Sequence, residues 1–125
     1  MAAIRRRGGN KFGALKTVVD GITFDSRGES ECYKDLKFLE RSGHISNLRL
    51  QVKYDLAPAA IVNGRKKLPL RYIADFVYFD VQKGVEVVHD FKGKLTDVYV
   101  IKRHLMKTVH GIDIYETYAL SLIHI

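Results

Sequence analysis

Residues 72–92 read Tyr72-Ile73-Ala74-Asp75-Phe76-Val77-Tyr78-Phe79-Asp80, then Val81-Gln82-Lys83-Gly84, then Val85-Glu86-Val87-Val88-His89-Asp90-Phe91-Lys92. Two runs rich in β-branched and aromatic residues flank a short turn, the pattern of an antiparallel hairpin. Apolar residues occupy both parities of the first run: Ile73, Val77 and Phe79 on one, Tyr72, Ala74, Phe76 and Tyr78 on the other. A strand with two apolar faces belongs in the middle of a sheet. Asp75 sits inside it, where a carboxylate is costly to desolvate unless something pairs with it. Side chains alternate along a strand, so Asp90 and Lys92 share a face, and pairing of the runs can bring Asp75 across from them. Two carboxylates and an amine then meet. Hard divalent cations such as Mg²⁺ take oxygen ligands of this kind, usually one or two carboxylates together with substrate phosphates.

Each residue also has an ordinary reading. A lone Asp near a strand end is commonly a solvated turn residue, and Asp-X-Lys occurs by chance in many chains. Asp75 is the member of the set that this reading fits worst.

Outward from the hairpin, Leu48, Leu50, Val52, Tyr54 and Leu56 alternate with Arg49, Gln51, Lys53 and Asp55, a half-buried strand with its apolar residues on one face. Pro58 and the run Asn63-Gly64-Arg65-Lys66-Lys67 predict a basic loop between that strand and the central hairpin. Upstream, Ser26 and Glu29 form a capping-box pattern for a helix that ends near Ser42 and Gly43. Helical spacing puts Glu29 on the side of Cys32, Tyr33, Leu36 and Leu39, and Glu31 on the opposite side. Glu29 is therefore either a cap or an acid at the head of the core-facing stripe. Before it, Thr17 to Phe24 predicts a hairpin turning at Asp20-Gly21. Downstream, Thr96 caps a second helix with the stripe Val98, Ile101, Leu105 and Val109, with Lys102 beside it. Gly111 ends that helix, and Ile112 to Tyr118 is read as a last strand.

The chain has 125 residues, a formal charge of +7 and 46% hydrophobic residues, enough for one domain with a real core. The excess of Lys and Arg favours a polyanionic partner. Residues 1–16, with Arg5, Arg6, Arg7, Lys11 and Lys16 among glycines, are expected to be a flexible basic arm that binds nucleic-acid backbone or merely solubilises. Residues 17–119 are expected to be the folded domain. Cys32 is the single cysteine, which excludes an internal disulfide and argues against a cysteine zinc site. No membrane span or secretory signal is evident, so a cytoplasmic protein is expected. Residues 120–125, Leu-Ser-Leu-Ile-His-Ile, match what the end of a common sequencing transposon adapter encodes in frame, and are read as a non-native tail.

After the first hairpin, the order helix, three strands, helix, strand, with acids at Glu29, Asp75 and Asp90 and a lysine at Lys92, resembles the PD-(D/E)XK nuclease superfamily. More closely, the chain is similar to a small phage family of uncharacterised, Holliday-junction-resolvase-like proteins of the DUF1064 kind. The stretches that carry the likeness are Thr17 to Ser26, Glu29, Tyr72 to Phe76, Asp90 to Gly93 and Thr96 to Lys102. Ile73-Ala74 stands where the superfamily has its proline, and His89 where the phage family has an acid. His89 points away from the face of Asp90, which suits packing or a supporting hydrogen bond rather than ligation.

The resemblance implies an α/β fold: a restriction-endonuclease-like αβββαβ core, a mixed sheet flanked by helices, with the N-terminal hairpin and arm added. It implies a Mg²⁺- or Mn²⁺-dependent endonuclease that hydrolyses DNA phosphodiesters, with branched or junction DNA and phage recombination or replication as the setting. Asp75, Asp90 and the Phe91 backbone carbonyl would hold the metal, with Glu29 on a metal-held water or a second ion. Lys92 would orient water or offset transition-state charge. Arg5, Arg6, Arg7, Arg65, Lys66, Lys67 and Lys102 would contact DNA, and a homodimer would suit two symmetric cuts. The rivals are a non-catalytic basic DNA-binding module of phage origin and a structural or assembly protein. No Ser/His/acid grouping supports a serine or cysteine nucleophile.

Overall fold

The strand expected at the middle of a sheet is there, and the other elements are laid against it. The computed structural model describes residues 16–118. In chain order the elements are β1 (Thr17–Val19), β2 (Ile22–Phe24), α1 (Arg27–Arg41), β3 (Ile45–Ala57), β4 (Ala60–Val62), β5 (Arg65–Lys67), β6 (Leu70–Asp80), β7 (Val85–Lys92), α2 (Asp97–His110) and β8 (Tyr115–Tyr118). The main sheet has the order β3-β6-β7-β8. β3, β6 and β7 are antiparallel neighbours, while β8 runs parallel to β7. That parallel pair requires a crossover, which α2 supplies. The fold is mixed α/β with the expected αβββαβ order, preceded by the β1–β2 hairpin. Asp20 (φ 54°) and Gly21 (φ 76°) turn that hairpin with two left-handed residues, as a two-residue connection demands.

Alternation along β7 divides the core between two faces. Val87 and His89 point to the side of α1, Val88 and Asp90 to the side of α2. Tyr33 and Leu36 of α1 pack with Phe76 and Tyr78, and Tyr99 and Met106 of α2 pack with Val77 and Val88. Ser26 caps α1, its Oγ accepting from the Glu29 N–H at 3.1 Å, and Thr96 caps α2 from the Tyr99 N–H at 3.2 Å. Glu31 is exposed and pairs with Lys34.

Four sequence expectations are corrected. First, the apolar residues of β3 do not share one face. Leu48 and Leu50 pack toward α1, Val52, Tyr54 and Leu56 toward α2. β6 divides the same way, Phe76 and Tyr78 against Tyr72 and Ala74. The changeover sits where Gln51 adopts φ 54° between the pairs Leu50↔Phe76 and Val52↔Ala74, which is opposite Asp75. One irregular residue in a strand flips every side chain beyond it. Second, residues 63–67 are not a loop. Asn63 (φ 51°) and Gly64 (φ 77°) turn a second hairpin, β4–β5. Its register continues that of Ala57↔Leu70, so the chain's two prolines, Pro58 and Pro69, stand opposite each other. Neither can donate a ladder bond, and the β3–β6 ribbon breaks there.

Third, the inward side of α2 is Tyr99 and Met106, with Leu105 at its edge, whereas Val98, Ile101 and Val109 are at least half exposed. The helix is rolled by about a quarter turn from its most apolar stripe, because the aromatic ring at Tyr99 is drawn inward by partners described below. Fourth, the last strand is only Tyr115–Tyr118; residues 112–114 approach it without a ladder. Lys16, assigned to the arm, pairs with Asp25 at 3.1 Å. The rest of the arm and the suspected tail lie outside the described residues.

The roll of α2 makes a stability prediction. Met106→Ala opens a cavity at a fully buried site and is expected to cost about 2–5 kcal/mol, while Val98→Ser is expected to stay within about 0.5 kcal/mol. Urea unfolding of both variants checks this, and the reverse ranking would place the stripe of Val98 inside.

Candidate active site

The β6–β7 ladder runs to the pair Phe76↔His89, and the next residues outward are Asp75 and Asp90. They meet as the hairpin pattern predicted. Burial and the adjoining Asp90 carboxyl favour the protonated form of Asp75. Burial comes first among the causes that push the Asp75 acid well above the usual carboxylate range, followed by the bond to Asp90 and by its charge and that of Glu29. Asp75 Oδ2 also accepts the Phe91 N–H at 2.9 Å, which fastens the two strands beyond the regular ladder. In a strand the N–H and C=O of one residue face the same neighbour, so the Phe91 carbonyl is directed to the side of Asp75 as well.

Asp90 is 3% exposed. Its Oδ2 accepts the Tyr72 hydroxyl at 2.7 Å and lies 3.2 Å from Lys92 Nζ. The ammonium rests 3.6 Å above the centre of the Tyr99 ring, a cation–π contact in a half-buried setting. Tyr99 is held in turn: its hydroxyl donates to Glu116 Oε2 at 2.6 Å, and Arg103 pairs with the same oxygen at 2.9 Å. Arg103 and Glu116 thus anchor the ring that supports the lysine, which accounts for the roll of α2.

Glu29 approaches from the first turn of α1. Burial raises its pKa to about 7, helped by the charges of Asp25 and Asp90 and opposed by Lys92. The cap at Ser26 uses the backbone N–H of Glu29, so capping and reaching the site are compatible. Gly28 explains how the helix comes so close. A methyl group there would lie 2.5 Å from the tip of the Phe91 ring, so only glycine lets that ring pack against the helix start.

The structure brings Asp75, Asp90 and Lys92 together, and Glu29 is near enough to feel the charges of Asp90 and Lys92. Sequence reasoning missed Tyr72, Tyr99, Glu116 and Gly28. The hydroxyl of Tyr72, three residues before Asp75, was treated as core filling; an aromatic polar residue on the strand of a buried acid was the available signal. Lys102 is half-buried on α2, and no ion pair joins it to the four among the described residues. Arg65, Lys66 and Lys67 are away from the cluster on β5, and Arg5, Arg6 and Arg7 lie outside the described residues.

His89 faces the opposite side. It is bonded to the Tyr78 hydroxyl and Thr117 Oγ1, each at 2.9 Å, and its Nε2 lies 3.8 Å from Cys32 Sγ. Burial pushes the imidazole down to about 4 and the thiol up to about 12, so the pair stays neutral at pH 7. That is a packing and hydrogen-bonding role.

The profile of one family, described as Protein of unknown function (DUF1064), matches residues 9–122. The chain belongs to this family. No curated protein and no solved structure matches it.

Among the described residues, no three His, Cys, Asp or Glu side chains are gathered into a metal cage. The donor set that is present suits a different arrangement. Two adjoining carboxyls stand beside a directed backbone carbonyl, and a cation there would replace the proton that burial favours on Asp75. This fits Mg²⁺, which keeps several waters and combines one or two carboxylates with substrate phosphates.

The raised Asp75 acid makes the metal-free protein pH-sensitive in a known direction. A carboxyl whose folded pKa is raised contributes stability below its unfolded value, and that contribution is lost as pH rises through the folded value. Asp75→Asn removes the titrating acid, so its stability relative to wild type should grow between pH 5 and 8.5, by at least about 1.4 kcal/mol, the worth of one pKa unit. The opposite dependence from His89 cancels in the difference. Urea unfolding in chelator at both pH values measures it, and a pH-independent difference would refute the raised Asp75 acid.

Proposed function

We propose that this chain is a divalent-cation-dependent deoxyribonuclease of the PD-(D/E)XK type, cutting DNA phosphodiesters internally. The observation that carries the reading is the apposition of Asp75 and Asp90 with Lys92 on the same face, 3.2 Å from Asp90. The αβββαβ order, the third acid at Glu29 and the charge of +7 support it. Branched or junction DNA is the substrate class that the family resemblance favours, with a homodimer making paired cuts.

The residues divide the work by chemistry. Asp75, Asp90 and the Phe91 carbonyl would hold Mg²⁺ or Mn²⁺. When bound, the cation supplies Lewis acidity to phosphate and water. Lys92, propped on Tyr99, places a fixed positive charge beside the phosphate oxygens, where negative charge grows as the P–O bond forms. Glu29 titrates near neutrality, so it can take a proton from the attacking water. Tyr72 donates to Asp90 and keeps that carboxylate turned toward the shared site.

Calorimetry tests the metal and kinetics tests the lysine. Mg²⁺ binding at pH 7.5 should release about one proton, seen as a heat that varies with buffer, because the ion displaces the proton that burial favours on Asp75. Asp90→Ala should abolish both binding and cleavage of plasmid DNA; equal Mg²⁺ affinity in wild type and Asp90→Ala would end the proposal. Lys92→Ala should lower the single-turnover rate by about a hundredfold or more while changing DNA affinity only a few-fold in Ca²⁺. Lost affinity with an unchanged rate would make Lys92 a DNA contact and remove it from the cutting chemistry, whereas no cleavage by wild type in Mg²⁺ or Mn²⁺ would favour the non-catalytic DNA-binding module.

A further inference from the structure

The β4–β5 hairpin has a form that the site itself does not require. It is the far end of the β3–β6 ribbon, set apart by the opposed prolines, and it packs extensively against no other element. Every residue from Ala60 to Lys67 is exposed. Ile61 is 69% exposed and neighbouring Leu68 79%, which is a poor use of apolar side chains unless something covers them. Arg65, Lys66 and Lys67 form one strand of it and have no acidic partner among the described residues. No acid occurs between Asp55 and Asp75. The register sets Ile61 beside Lys66 and Val62 beside Arg65, so each face offers a cation next to an apolar side chain. Charge this one-sided points to a polyanion, and the ribbon form points to a groove.

We propose that the β4–β5 ribbon enters the major groove of double-helical DNA and makes this a duplex-dependent protein, gripping a duplex arm at one side of the candidate active site. This rests on the reading of the chain as a DNA-cutting protein. The major groove, about 12 Å wide, admits a two-stranded ribbon. With the Ile61 face turned to the base edges, where thymine methyl groups offer apolar contact, Lys66 lies beside Ile61 and the long Arg65 and Lys67 side chains of the other face reach phosphates on the groove walls. Lys67 is eight residues from Asp75 along the chain, which spans up to about 26 Å at strand rise. At about 3.4 Å per base pair, that is roughly eight base pairs of duplex between the ribbon and the acids. Single-stranded DNA has no groove for the ribbon to enter.

The test compares wild type with the triple variant R65Q/K66Q/K67Q, and with Ile61→Asp as a second variant that leaves the three cations in place. Binding in Ca²⁺ is measured against salt on a duplex, on a single strand of the same sequence, and on duplexes shortened from about sixteen to about four base pairs. For wild type, affinity should drop once the duplex falls below roughly eight base pairs. The triple variant should flatten the plot of log affinity against log salt on duplex by up to about 2.7, at about 0.9 for each phosphate contact. It should also lose the length threshold and the preference for duplex over single strand, and Ile61→Asp should weaken duplex binding without affecting single-strand binding. Both variants should keep wild-type Mg²⁺ heats, which reports an intact site and fold. An unchanged salt slope and length threshold in the triple variant would overturn the ribbon proposal, as would loss of self-association in place of duplex binding. Cleavage is scored separately. Wild type that shows the threshold but never cuts DNA leaves the ribbon standing and removes the nuclease reading; cutting without a ribbon effect does the converse.

Discussion

Two carboxyl groups set side by side in the middle of a sheet repel each other unless a positive charge or a proton stands between them. Asp75 and Asp90 occupy adjoining positions of β6 and β7, where the Lys92 ammonium lies 3.2 Å from Asp90, while burial and the charge of Asp90 favour the protonated form of Asp75. The acid–acid contact stands at the point where Gln51 and its neighbours exchange the faces of the sheet. That changeover lets β3 and β6 serve α1 with one half and α2 with the other. It also interrupts the ladder at the position where Asp75 captures the Phe91 N–H by its side chain instead.

Around this pair the polar groups form a graded chain. Tyr72 and Lys92 meet Asp90, the Tyr99 ring lies under Lys92, and Glu116 with Arg103 hold Tyr99. The partners come from β6, β7, α2 and β8, so the lysine is positioned by four elements rather than by its own strand alone. An ammonium on four methylenes would otherwise lose much rotamer freedom to be fixed there. On the opposite face the His89, Tyr78 and Thr117 bonds satisfy a buried imidazole and hold β7 between its neighbours. The Phe91 ring against Gly28 couples the same strand to the start of α1 and so brings Glu29 in.

Two of the exposed apolar regions have different contexts. On α2, Val98, Ile101 and Val109 are left outside because the helix turns Tyr99 inward to its hydrogen-bonding partners. On the distal ribbon, Ile61 and Leu68 alternate with cations and stand beyond the proline joint. The first follows from what the core demands of one aromatic residue. The second has no counterpart in the packing of the core.

Local chemistry by itself determined most of the elements and brought Asp75, Asp90 and Lys92 forward as site candidates. Ser26 and Thr96 mark the helix starts, Asp20-Gly21 the first turn, and the doubly apolar run at 72–80 the central strand, because caps, left-handed turns and period-two patterns act over a few residues. The same short range placed Asp90 and Lys92 on one face and Asp75 opposite them. Tertiary structure alone decided which way β3 and α2 face. A single left-handed residue at Gln51 reverses the parity of everything after it, and a period of 3.6 cannot foresee that Glu116, seventeen residues from Tyr99, turns the helix. The joint made by Pro58 and Pro69 is equally invisible along the chain, since two residues eleven apart become opposites only when the register of the ribbon is set.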